Sequence, residues 1–215
     1  MKNFFKPIFS VFISLIMMLV SIALGTTAVL NFRPLYYRII NKFVGKNNLT
    51  FLQIKENYDT LIDYNSFFGP DKLKFPHLPS SENALTHFKE VKTIFLEFQI
   101  VLIIGIIILI LLILLYKKLY GTFEYLLIGG IATIFVPFTL AVFIFINFDK
   151  VFITFHKLVF NNNYWIFNYK TDPIITFLPE DFFMVCAIAI VVLVLTQGMI
   201  MIYMYCNKIK NIKNF

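Results

Sequence analysis

Long uncharged apolar runs alternate with shorter polar stretches along this chain. Four of the runs, at 7–32, 98–116, 125–148 and 182–206, match the roughly 20 residues that a helix needs to cross a hydrocarbon core. Backbone polar groups inside lipid must find internal partners, so the spacing predicts four transmembrane helices. Pro137, in "FVPFTL", predicts a kink in the third. The polar stretches carry weaker periodicities. "RPLYYRIINKF" reads as a short amphipathic helix with Leu35, Tyr36, Ile39, Ile40 and Phe43 on its apolar face. "LTFLQIKENYDTLIDYNSFFG" reads as a further helix or a mixed element. "GPDKLKFPHLP" reads as a loop, with turn residues that leave room for a short hairpin.

Helix-terminus signals fill in the rest. "PSSENALTHFKEVKTIF" begins a helix that Ser80 or Ser81 can cap, with Glu82 suiting its positive end. That helix is expected to run unbroken into the second span. "VFITFHKLVF", Val151 to Phe160, has Phe152, Phe155 and Val159 at helical spacing and stops at "NNN". It predicts an interfacial helix. Pro179, Glu180 and Asp181 mark the start of the last helix. The expected fold is membrane all-α, a single membrane domain over 1–215. It is a four-transmembrane-helix bundle with a small extracellular cap of short helices and irregular segments, drawn from 33–93 and 149–181.

Composition agrees with this division and charge orients it. The 215 residues are 59% hydrophobic and 14% charged, against about 45–50% and 25% for a soluble domain. The net charge of +7 could point to nucleic acid, but its distribution is topological. Lys2, Lys6, Lys117, Lys118, Lys208, Lys210 and Lys213 fall on one side with Glu124 as the sole acid, while the other side is nearly balanced. The positive-inside rule then puts both termini in the cytoplasm. "MKNFFK", an apolar run and "ALG" at Ala23–Gly25 are also compatible with a cleaved signal peptide. The length of the run favours a retained span. Cys186 and Cys206 lie about 30 Å apart along one helix, which excludes a disulfide or a thiolate metal site within the chain.

Chemistry, if any, belongs to the outer segments. His87 sits on the helix entering the second span, with Glu90 three residues on and on the same face. A carboxylate beside an imidazole fixes its tautomer and stabilises the imidazolium, the arrangement of a general base. The competing reading is a wet face of an interfacial helix. His156 lies among Phe152, Phe155 and Phe160, with Trp165 beyond. An aromatic belt with one snorkelling imidazole is the alternative there. Both histidines are expected at one depth, next to a span, where they could line one pocket. His77, between prolines in "FPHLP", has no helical partner by spacing, and Asp172 precedes a proline at a turn. No HExxH or G-x-S-x-G motif and no glycine-rich phosphate loop appears. A two-histidine metal site completed by Glu90 or Asp172 remains open on ligand types alone.

At "HFKEVK" and "FDKVFITFHKLVFNNNYW…TDPIITFLPEDFF" the chain resembles the bacterial lipoprotein intramolecular transacylase family, four-span membrane proteins of low-GC Gram-positive bacteria. "NYDTLIDY", with Tyr58, is a weaker third point of likeness. Glu90 stands where the family more usually has aspartate. The resemblance implies an acyltransferase of the cell membrane with an extracellular active site. It would act on a diacylated lipoprotein among membrane lipids, without cofactor, metal or nucleic acid. It implies catalysis by His87 and His156, supported by Glu90, Tyr58, Phe152, Phe155, Phe160, Trp165 and Asp172. The alternatives are a non-catalytic four-span scaffold, against which the cysteine-free outer segments count, and a membrane metal-dependent hydrolase. Oligomeric state is not legible.

Overall fold

The computed structural model describes residues 2–213; Met1 and residues 214–215 of the expected cytoplasmic termini lie outside them. Seven α-helices follow in chain order: α1 (Lys2–Asn31), α2 (Pro34–Tyr37), α3 (Phe51–Tyr64), α4 (Glu82–Tyr120), α5 (Glu124–Ile146), α6 (Phe148–Val159) and α7 (Glu180–Lys213). Short 3₁₀ turns occupy Ile40–Lys42, Lys46–Asn48 and Pro173–Phe177. Among the described residues there is no strand, so the hairpin that "GPDKLKFPHLP" left room for does not form. Helices α1, α4, α5 and α7 are each long and apolar enough to cross a membrane. The α5 helix runs on through Pro137. It ends at Ile146, two residues short of the expected span, because the Asn147 side chain accepts the Lys150 N–H at 2.8 Å and starts α6.

The chain forms two compact units. The first comprises residues 2–26, 98–143 and 188–213. Several of its polar groups find partners within the unit, as a water-free interior favours. Ser14 Oγ donates to Ser10 O and is also 3.0 Å from Tyr125 O, while Lys6 pairs with Glu124 at 2.6 Å. Ile13, Met17, Tyr116, Tyr125 and Leu126 form its buried cluster. Ile103, Ile107, Ile110, Leu111 and Leu114 of α4 are exposed, the disposition of a helix that faces lipid. Gly121, with φ +67°, lets its N–H close on Lys117 O at 3.0 Å and ends α4.

Small residues let helices approach closely in lipid, and Gly130 and Gly198 do so here. A Cβ added at Gly130 would stand 2.8 Å from Gly198 O and 2.6 Å from Ile202 Cγ1. Backbone cannot yield as a flexible side chain can. Gly130→Ala is therefore expected to cost about 1–3 kcal/mol through overpacking, read as a lower thermal unfolding midpoint in detergent. An unchanged midpoint would show that the α5–α7 approach is loose.

The second unit comprises Thr27–Glu97 and Ile144–Ala187. Its largest element outside the long helices is α3, opened by a capping box in which Thr50 and Gln53 exchange bonds. Ile54, Tyr58, Leu61 and Ile62 fall at helical spacing and are buried. They pack with Tyr36, Ile40, Phe88, Phe177 and Phe182. The Tyr36 and Tyr58 rings stack at 3.8 Å, and Tyr36 Oη donates to Phe177 O at 2.8 Å. The expected single helix over "RPLYYRIINKF" is instead α2 followed by a 3₁₀ turn. Spacings of three and four at 36, 40 and 43 suit either geometry, and burial of Tyr36, Ile40 and Phe43 decides it.

Candidate active site

Two helices of the second unit carry the histidines. Ser81 is the N-cap of α4, since its Oγ accepts the Ala84 N–H and its O accepts the Leu85 N–H. This resolves the choice between Ser80 and Ser81. Ser81 is in turn held by Asp172, whose Oδ1 accepts its N–H at 2.6 Å and whose Oδ2 accepts its hydroxyl at 3.0 Å. With the helix start fixed, His87 lies six residues on and is 6% exposed. The α6 helix ends where Phe160 N–H closes on His156 O at 2.9 Å.

His87 and His156, 69 positions apart in sequence, meet with ring centroids 5.9 Å apart. Aromatic rings enclose the pair. Phe160 lies edge-on to His87 at 4.7 Å and 5.5 Å from His156. On His156, Phe152 packs at 4.2 Å, Trp165 at 4.9 Å and Phe155 at 5.5 Å. Phe167, which the sequence did not single out, stands edge-on to His87 at 5.6 Å.

The two imidazoles are held differently. His156 Nδ1 lies 2.7 Å from Phe152 O. A carbonyl only accepts, so Nδ1 carries the proton and Nε2 keeps a free lone pair. Burial pushes this imidazole below its ordinary value, more than the bond to the carbonyl raises it. His87, ahead of the apolar stretch that begins at Phe98, is lowered as well, first by burial and then by His156. Its Nδ1 is buried without a hydrogen-bond partner. Glu90 Oε2, also buried and unpartnered, faces it at 3.9 Å. That distance is too long for a hydrogen bond. The two atoms therefore face each other unbonded, one small movement short of contact. The other Glu90 oxygen accepts from Asn162 Nδ2 at 2.7 Å. Glu90, Thr93, Val159, Phe160 and Asn162 line part of an open cavity of about 280 Å³ beside the pair.

The structure thus gathers His87, His156, Glu90, Phe152, Phe155, Phe160 and Trp165 into one cluster. It does not bring Tyr58 there, since Tyr58 is 4% exposed in the stack with Tyr36. Asp172 meets the site only through Ser81. His77 does have a helical partner, contrary to its spacing: its Nε2 is 2.5 Å from Glu56 Oε2 on α3. Asn162 was read only as a helix terminator, and nothing in a run of three asparagines could have shown its bond to Glu90. Among the described residues, no group of three or more His, Cys, Asp or Glu side chains is arranged to hold a metal ion.

Four membrane-spanning helices and a histidine pair walled by aromatic rings define an all-helical membrane-integral protein with a candidate acid–base centre. Comparison with known proteins sharpens that class. The profile of the lipoprotein intramolecular transacylase family, Lit, matches residues 11–183. The in meso structure of the membrane-integral lipoprotein intramolecular transacylase Lit from Bacillus cereus is similar at TM-score 0.92 and 36% identity, covering 99% of this chain and 100% of that one. A structure of the same enzyme with a histidine replaced by arginine is similar at TM-score 0.86 and 35% identity, over 98% and 95% of the two chains. One with a histidine-to-alanine replacement gives 0.87 and 34%, over 99% and 97%. No curated protein matches the chain. The chain belongs to the lipoprotein intramolecular transacylase family.

Proposed function

We propose that this chain is an acyltransferase of diacylated lipoproteins, moving the sn-2 acyl chain of the diacylglyceryl group to the α-amine of the N-terminal cysteine. The product is a lyso-form lipoprotein. The observation that carries this reading is the meeting of His87 and His156 inside an aromatic enclosure. The positive-inside charge distribution supports an extracellular site, where such substrates would present their headgroups.

The reaction forms one N–C bond, breaks one C–O bond and moves one proton from nitrogen to the glyceryl oxygen. Two imidazoles neutral near pH 7 suit that proton's path. His156, with Nδ1–H committed to Phe152 O, offers Nε2 to the attacking amine's N–H. With one amine N–H held by that acceptor, His87 takes the other proton and returns it to the glyceryl oxygen, because the imidazolium it becomes attracts Glu90 more strongly than the neutral ring does. Phe152, Phe160 and Trp165 exclude water that would otherwise hydrolyse the ester. Holding amine and ester together in the ring-closing geometry supplies much of the acceleration.

The transfer conserves mass, so fragmentation of lipoprotein N-terminal peptides is the readout. Cells containing the protein should yield an N-acyl cysteine fragment and release one fatty acid, not two, on mild alkaline treatment. Identical fragments from cells with and without it would reject the reading.

A further inference from the structure

We infer that Asn162 is a positioning residue, which aims the charged face of Glu90 at His87; this rests on the reading above, in which His87 carries the proton. A carboxylate on a flexible side chain has two equivalent oxygens and several rotamers. Here one oxygen is taken by Asn162 Nδ2 at 2.7 Å, and the other is left buried, unpartnered and 3.9 Å from His87 Nδ1. An unpaired buried carboxylate oxygen is costly, and it persists because Asn162 fixes its neighbour. The cost is relieved most when His87 is protonated, because an imidazolium N–H draws a carboxylate harder than a neutral N–H does. That contact is absent in the resting state, where the two atoms stand 3.9 Å apart.

Asn162 is itself immobilised. Its Oδ1 accepts the Tyr164 N–H at 2.9 Å, and its backbone oxygen accepts Trp165 Nε1–H at 3.2 Å. The Trp165 ring packs on His156 at 4.9 Å. One residue therefore registers the carboxylate beside His87 and the indole beside His156, although it hydrogen-bonds to neither histidine.

Asn162→Asp isolates the side-chain nitrogen, because it keeps the acceptor for Tyr164 N–H and places a second carboxylate against Glu90. In purified, detergent-solubilised protein acting on a diacylated lipopeptide, kcat should fall at least about tenfold at neutral pH, with KM within about threefold. The double variant Glu90→Gln with Asn162→Asp remakes the hydrogen bond in reverse, amide to carboxylate, but leaves an uncharged group facing His87. It should remain as slow as the single variants. Recovery of wild-type kcat in the double variant would reduce Asn162 to a strut and overturn the inference, as would an unaffected Asn162→Asp. If His87→Ala is active in the same assay, it is the underlying reading that fails. If His87→Ala is inactive and Asn162→Asp is normal, this inference alone fails.

Discussion

Replacing either His87 or His156 with alanine is expected to slow lyso-lipoprotein formation by about 10²–10⁴-fold, the usual worth of a general acid–base group. The amount of folded, membrane-inserted protein should stay near wild type. The loss falls mainly on kcat, since both rings act on a proton in transit and neither is a large binding surface. His87→Ala also leaves Glu90 Oε2 facing an apolar gap, whereas His156→Ala frees Phe152 O. The pH dependence follows from the same geometry. Both imidazoles are held below the ordinary histidine value by burial. They are therefore neutral and able to accept at pH 7, and become protonated only at lower pH. Activity should hold as pH drops to about 6.5 and then decline, with the inflection on the acid side of that value. An inflection above it, or full activity in both alanine variants, would remove the histidines from the mechanism.

The elements that carry the site were legible because their signals are local. Apolar runs of membrane length, an i,i+3 His–Glu pair and an aromatic row at helical spacing need only the chain's own periodicity. Spacing alone left Glu90, His87 and His156 as candidates that a wet helix face or an aromatic belt could also explain, and the family resemblance singled them out. What was not legible depends on contacts across the sequence. Tyr58 looked like a site residue by likeness of its segment, yet its ring stacks on Tyr36 far along the chain. Asn162 looked like a helix stop, and only the fold brings it to Glu90, 72 residues away. The pairing of His77 with Glu56 is of the same kind, between a loop and a helix 21 residues earlier. Polar side chains find partners by tertiary geometry, and no period in the sequence encodes which.

Asp172 shows how such a distant contact sets the site, and its removal is the second large expected effect. The side chain is 3% exposed and accepts three hydrogen bonds, from Ser81 N–H, Ser81 Oγ–H and Thr171 Oγ1–H. Hydrogen bonds to a charged acceptor contribute about 1.5–3 kcal/mol each, and stranding a buried donor costs about 1–3 kcal/mol. The two hydroxyls can turn to other acceptors or to water, but the Ser81 N–H cannot. Asp172→Ala is therefore expected to cost about 3 kcal/mol, read as a lower thermal unfolding midpoint in detergent. Asp172→Asn keeps one acceptor oxygen for that N–H and should lose less than half as much. Activity should fall with the alanine variant more than its folded fraction does, because Ser81 starts the helix that holds His87 six residues later. A small shift of that first turn moves one imidazole relative to the other, and acid–base geometry tolerates little displacement. An Asp172→Ala protein that unfolds at the wild-type temperature would show that Ser81 caps α4 unaided. The position of His87 would then have to be set by Phe160 and Phe167 packing alone.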